Sequence, residues 1–436
     1  LFVSACPMPD YHRLPDHHYT SASVPPALLA ALMPLGMLTV GGSSAFFYAM
    51  AVICIALAAA RPKAAWKQLR PYGWLILALC LPLAATLWSQ GATQTWRATE
   101  IERALRISLA FPLLIAGLLL LDVRVLRQFA WGLVLAGAAS FAVVLYLSWP
   151  DFARPVTPQF NAVSYGNLML LTGVMALYSL EWPLTRSPRL EKSLKIAVGC
   201  ATLLGFILTQ TRTGWMAFPL FAIVALALSR RVRHPLRALG ILIAALALLG
   251  AVGAANNGLR DRVALGFKEV RQCETQQTAD TSMCIRLQLW RSAWAMFQAH
   301  PWTGVGNGVK FVEELKERAA KGEVSPYVAE GFGETHNDML MAMALHGLPG
   351  AVGMLALYLA PACLFLRRMR RDHPQAARTA AAMGLALCLG FAIFGLTELM
   401  FRGMRSVSYY VVMLAVLTVL SQPQATPDDT ISPRPQ

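Results

Sequence analysis

The chain has 436 residues, of which 56% are hydrophobic and only 14% charged, with a formal net charge of +15. Soluble domains run about 25% charged, and here the apolar residues gather in blocks of about 15–21, each close to the length that crosses a bilayer as a helix. That excludes an ordinary soluble globular protein, and it leaves either nucleic acid or membrane topology to account for the positive charge.

Residues 1–23 are polar and no small-residue cleavage site follows a short apolar run, so the first apolar block is expected to stay as a span. Twelve spans are predicted, near 27–40, 44–60, 73–89, 104–121, 129–149, 164–181, 195–210, 214–229, 237–254, 348–366, 379–398 and 406–421. Lipid offers no partner to a backbone amide, so each block must be helical. The connectors at 61–70, 122–128, 186–195, 230–237 and 367–378 carry nineteen Lys/Arg, against six in the alternate short connectors. This alternation places the basic connectors and both termini in the cytoplasm. It accounts for most of the excess charge, so no nucleic-acid partner is expected.

One connector breaks the pattern. Residues 255–335 form a long polar stretch that parity places outside. It is too small to bury much apolar surface alone and is expected to lie on the membrane. The expected division is 1–254 for nine spans, 255–335 for the outer loop, 336–421 for three more spans, and 422–436 for a disordered tail. Within the loop, Ser282 to Ala299 reads as an amphipathic helix with Leu287, Trp290, Trp294 and Phe297 at helical spacing. Pro301 marks its end. Val309 to Lys321 reads as a second helix, with Glu314–Arg318 and Glu317–Lys321 at pairing distance.

Five of the eight cysteines, Cys54, Cys80, Cys200, Cys363 and Cys388, lie in apolar blocks, and Cys6 lies in the N-terminal tail. Only Cys273 and Cys284 share a polar segment. That segment is on the outer, oxidising face, so they are expected to form a disulfide.

Thr335-His336-Asn337-Asp338 precedes an apolar run. Thr335 suits a helix N-cap, and Asp338 three residues on would complete a capping box. His336 would then sit in the first helical turn, where the helix dipole disfavours imidazolium and favours a neutral base. The alternative is a histidine that only helps cap the helix. Arginine without matching carboxylate is the second signal. Arg212 sits in the tight outer turn Thr211-Arg212-Thr213-Gly214, Arg286 opens the amphipathic helix, and Arg260, Arg262, Arg271 and Arg291 share the outer loop. Arginine grips phosphate through two N–H groups and keeps its charge. Solvated charge or lipid head-group contact is the competing reading for the loop arginines, less so for Arg212, which a tight turn restrains. Gly304-Val305-Gly306-Asn307-Gly308 lacks the preceding strand of a dinucleotide loop; it is expected to end a helix and permit close chain approach. No metal-binding spacing is present, since Asp338 of the Glu334, His336, Asp338 group is claimed by the cap.

Four segments taken in order resemble the O-antigen ligase/polymerase superfamily: Thr209-Gln210-Thr211-Arg212-Thr213-Gly214, Arg286 through Trp294, His300-Pro301-Trp302-Thr303-Gly304-Val305-Gly306, and His336-Asn337-Asp338-Met339-Leu340 followed by His346-Gly347-Leu348-Pro349-Gly350. They cover roughly residues 196–360. The resemblance implies an all-α polytopic inner-membrane protein with one large, mostly helical periplasmic loop. It also implies a GT-C-like glycosyltransferase that takes glycan from undecaprenyl diphosphate at the periplasmic face without a cofactor. Its arginine and histidine positions fall on Arg212, Arg286 and His336, with Arg291, Trp290 and Asn337 expected to touch substrate. A single dominant outer loop, a short connector after the fifth span and no long soluble C-terminal domain favour a ligase with lipid A–core as acceptor. Polymerase and protein-glycosylating branches are the alternatives. A transporter or flippase would fit twelve spans, but would leave the outer loop unexplained and would place ionisable groups near mid-membrane.

Overall fold

The computed structural model describes residues 20–39, 41–158, 160–229 and 280–423, with Gly240, Ala244, Ala264 and Cys273. Among these residues the secondary structure is helical, without strands. The helices are α1 Thr20–Leu38, α2 Ser43–Ala60, α3 Pro62–Leu69, α4 Gly73–Thr93, α5 Ala98–Ser108, α6 Ala110–Leu118, α7 Val123–Leu126, α8 Ala130–Ser148 and α9 Ala162–Tyr178. They continue as α10 Pro188–Leu208, α11 Thr213–Leu228, α12 Ser282–Ala299, α13 Gly308–Ala320, α14 Pro326–Gly331, α15 Asp338–Arg368, α16 Gln375–Phe394 and α17 Met404–Leu420.

Seven helical segments are long and apolar enough to cross a membrane; α11 and α17 are shorter apolar helices. The protein is thus a multi-pass membrane protein built of helices. Eleven of the twelve apolar blocks fall on helices, while the block at 237–254, apart from Gly240 and Ala244, lies outside the described residues, as do residues 424–436, the first 19, and Arg260, Arg262 and Arg271. The block at 104–121 is two helices, α5 and α6, meeting at Leu109. The block at 379–398 ends four residues early: α16 stops at Phe394, and 395–403 form a turn.

α16 and α17 are the innermost pair, buried along most of their length, and α1, α9, α11 and α15 pack around them. Lipid-facing positions elsewhere stay apolar and exposed, as with Val52, Leu77 and Leu135. In such a bundle apolar burial cannot discriminate partners as it does in water, so close packing of small side chains contributes more. Gly117 against Cys54 and Gly132 against Ala31 are examples: an added Cβ would sit 2.4 Å from the Cys54 backbone and 2.0 Å from the Ala31 carbonyl oxygen.

The described part of the long polar connector has its own small core. Leu289, Ala293 and Met296 of α12 meet Phe311 and Leu315 of α13 and Val328 of α14, and α15 closes the cluster with Met341, Ala344 and Leu345. The loop therefore packs onto the bundle. The buried face of α12 is not the aromatic one expected: Cys284, Gln288, Leu289, Ser292, Ala293 and Met296 point inward, while Trp294 is exposed. On this face Leu289, Ala293 and Met296 join the cluster that α15 closes with Met341, Ala344 and Leu345. In α13 the expected pairs give way to others, Arg318 with Glu323 at 2.8 Å and Lys310 with Glu313 at 2.6 Å. Cys273 and Cys284 are joined by a disulfide.

Candidate functional site

The turn after α16 organises the site. Glu398 in that turn is buried, its side chain 4% exposed. Its Oε1 accepts a hydrogen bond from Arg286 Nη2 at 3.0 Å. Its Oε2 accepts one from Asn161 Nδ2 at 3.0 Å and lies 3.5 Å from His336 Nδ1. Burial works against the Glu398 carboxylate, but the contacts from His336 and Asn161 and the Arg286 charge outweigh it and hold its pKa below the usual range. Arg286 and His336 keep 25% and 21% of their side-chain surface open, so both can reach a ligand.

Arg212 comes to the same turn by another route. It is the exposed residue before Thr213, the first of α11. Thr213 Oγ1 lies 2.5 Å from Thr397 Oγ1, and Thr397 is the neighbour of Glu398. Two positions back, Thr211 Oγ1 donates to the Ala162 carbonyl at 3.2 Å, next to Asn161. Asn161 is the N-cap of α9, accepting from Ser164 N at 2.8 Å while its amide nitrogen serves Glu398. The N-terminal ends of α9, α11 and α15 thus all border this turn, and helix N-termini favour anions.

The loop bearing His336 differs from the capping box expected. Asn337, not Thr335, caps α15: its Oδ1 accepts from Leu340 N at 2.9 Å and its Nδ2 donates to Leu396 O at 3.0 Å. Both amide atoms are engaged by backbone, so Asn337 ties the start of α15 to the turn after α16. Asp338 does not close a box. It is buried, and accepts from Met400 N at 3.1 Å, Phe401 N at 3.2 Å and Tyr358 Oη at 3.1 Å, which pins the same turn that carries Glu398. His336 precedes the helix rather than lying in its first turn, with a positive φ of 51°. Left-handed backbone on a non-glycine residue is uncommon and marks a conformation that the surroundings enforce. Here Thr335 Oγ1 accepts from Asn337 N at 3.2 Å and donates to Asn337 O at 2.7 Å, and Trp290 Nε1 donates to Thr335 O at 2.9 Å. Trp290 therefore holds the histidine loop. Arg291 is exposed on α12. Glu334 faces away, accepting from Arg402 Nε at 3.0 Å, so Glu334, His336 and Asp338 have separate partners.

The Gly304–Gly308 run follows the end of α12 by five residues and makes the close approach expected of it. Val305 N and Gly306 N donate to Ala344 O and Leu345 O, each at 2.9 Å. A Cβ on Gly304 would lie 2.3 Å from the Leu345 carbonyl carbon.

Sequence reasoning missed Glu398 and Asn161. Glu398 was read as the last residue of a span, and the signal that could have exposed it is an acid at the outer end of an apolar block, where the connector carries Arg402 and Arg405.

A family model described as O-antigen ligase matches residues 197–355, a little over a third of the chain. No curated protein matches the chain. The matched segment contains Arg212, Arg286 and His336, while Asn161 and Glu398 lie on either side of it. Together with the helical, multi-pass architecture, this O-antigen ligase domain supports assigning the chain to the O-antigen ligase/polymerase family, and with it a ligase- or polymerase-type glycosyltransferase role.

Proposed function

We propose that the protein is an O-antigen ligase of the bacterial inner membrane, transferring a glycan from undecaprenyl diphosphate to a sugar hydroxyl of lipid A–core at the periplasmic face. The observation that carries this reading is the convergence of Arg286 and His336 on one buried carboxylate, Glu398, beside the turn that presents Arg212. Two guanidinium groups near a histidine suit the displacement of a diphosphate by a hydroxyl.

Arg212 and Arg286 hold the diphosphate and balance the charge that grows on it as the bond to the anomeric carbon breaks. His336 directs Nδ1 toward Glu398, which leaves Nε2 as the basic nitrogen. Nε2 accepts the acceptor hydroxyl proton as its oxygen forms the new bond to the anomeric carbon, and the electron pair of the broken bond leaves with the diphosphate. One displacement inverts the anomeric configuration. Diphosphate is a good leaving group when its charge is met by arginine, so the step calls for no metal. Arg291 on the open face of α12 is placed to meet the glycan or the diphosphate.

The test is transfer by purified protein in detergent, with lipid-linked glycan and lipid A–core supplied and no membrane gradient. His336→Ala is expected to lower turnover by about 10²–10⁴-fold while Tm changes little. Unchanged turnover in that variant would remove the base from the mechanism, and absence of transfer by the wild-type protein would leave transport as the better reading. In the host, loss of all capped lipid A–core on deletion points to a ligase. A single retained capped repeat points to a polymerase.

A further inference from the structure

The residues after Glu398 face a second space. A cavity of about 100 Å³ lies between α4, α5, α15 and the Leu399–Arg402 turn, and neither Arg286, His336 nor Glu398 lines it. One part of its wall is apolar, formed by Pro82, Ile107, Met354 and Leu357. Another part holds Arg103, Arg402 and His346.

The polar groups of this wall are unevenly matched. Arg103 Nε, Arg402 Nη1 and His346 Nδ1 are buried without a hydrogen-bond partner among the described residues. Two carboxylates, Glu100 and Asp338, also line the cavity, and both are occupied. Glu100 accepts from Gly308 N at 2.9 Å and Gln90 Nε2 at 3.0 Å, and Asp338 is held by Met400 N, Phe401 N and Tyr358. Glu334 takes only the Nε of Arg402. No carboxylate among the described residues forms an ion pair with Arg103, and burial and the Arg402 charge both press against its own charge. Glu100, Glu334 and Asp338 temper that repulsion through space without supplying acceptors to Arg103.

Buried donors without acceptors are rare and call for an explanation, and two partly buried guanidinium groups, each with one buried unpartnered nitrogen beside one small space, fit an oxyanion with several acceptor atoms. The volume suits one phosphate, and the apolar wall suits the first carbons of a chain attached to it. We infer that this cavity is a second phosphate site, distinct from the one at Arg212 and Arg286, and that it holds the phosphate of a lipid. The inference does not depend on glycan transfer, because its test is binding.

Purified full-length protein in a neutral detergent is titrated with dodecyl phosphate, inorganic phosphate or dodecanol while thermal unfolding is followed. Dodecyl phosphate is expected to raise Tm saturably and dodecanol to leave it unchanged. Arg103→Gln is expected to weaken the apparent affinity by about tenfold or more, the loss of a charge-assisted hydrogen bond, while Arg286→Gln keeps it. Ala342→Leu, which fills the cavity with both arginines intact, serves as the second variant and is expected to abolish the shift. Equal shifts in the wild type, Arg103→Gln and Ala342→Leu overturn the site, as does a shift lost only in Arg286→Gln. An equal, Arg103-dependent shift with inorganic phosphate overturns the lipid assignment and identifies a free-anion site.

Discussion

Glu398 links three residues that chain distance keeps apart, and its charge is what joins them. Arg286 is 112 positions away and Asn161 is 237. Glu398→Gln keeps the shape but removes the charge, so Arg286 loses its ion pair and His336 its orienting acceptor. Transfer is expected to fall by about 10–100-fold, the range seen when an orienting partner is lost, with a smaller effect than His336→Ala. The depressed pKa of Glu398 also predicts a pH effect with a definite sign. A carboxylate whose folded pKa is lowered contributes stability above its unfolded value, about 4.3, and that contribution disappears as pH falls through the lower folded value. The wild-type protein should lose Tm relative to Glu398→Gln on acidification below about pH 4.3. Parallel melting curves for the two proteins down to pH 3 would contradict this. Arg212, Arg286 and His336 could be singled out as candidates because a tight turn and the approach to a helix are local patterns. Glu398 could not, because a hydropathy window continues the apolar run of α16 through it, and its partners come from distant helix ends.

At the scale of elements, α15 shows what periodicity leaves unresolved. The apolar pattern placed a span from 348, and the structure runs helix from Asp338, interrupted at Gly347, where φ is 62° and ψ is −150°. The loop before α13 fills the break: Leu348 N donates to Pro301 O at 2.7 Å, and Ser89 Oγ lies 2.5 Å from Thr303 O and 2.8 Å from Leu345 O. Close chain approach was expected at the Gly304–Gly308 run, but its partner at Gly347 could be learned only from the fold. A Cβ at Gly347 would lie 2.6 Å from Pro301 O. Gly347→Ala is therefore expected to destabilise by about 1–3 kcal/mol from backbone strain alone, read as a lower Tm in detergent. The disulfide ties α12 to Cys273. Replacing both cysteines by serine should remove about 2–3 kcal/mol by the loop-closure argument, and wild-type protein treated with reductant should melt like the double variant. The capping box failed for a local reason. Asn337 is a better cap than Thr335 and sits closer to the helix, and Asp338 finds backbone donors in the 400–401 turn.

Over the whole molecule, charge asymmetry and exposed aromatics point the same way. Trp88, Trp96, Trp149 and Trp302 are exposed near connectors that the charge pattern places outside, and Trp66 is exposed beside a basic connector. Tryptophan at both levels fits the two interfaces of a bilayer. The orientation predicts labelling. A Cys at position 291, on the open face of α12, should react with an impermeant thiol reagent in intact cells after outer-membrane permeabilisation, whereas one at position 370 should react only after lysis. The reverse pattern would invert the topology and put the site in the cytoplasm. The broad helical architecture was legible because lipid leaves the backbone few choices. The way that long polar connector sits on α15 was not, since the buried face of α12 mixes Gln288 and Ser292 with Leu289, Ala293 and Met296, a pattern that periodicity of apolar residues does not single out.

The route by which Glu398 gathers its partners has a consequence for synthesis. Asn161 is made early, Arg212, Arg286 and His336 follow, and the carboxylate that unites them arrives only after α16 has been translated. A nascent chain halted before residue 398, or a product truncated there, holds its cationic groups without their common counter-charge. Arg286 and His336 therefore acquire their shared carboxylate only once the turn after α16 has been made.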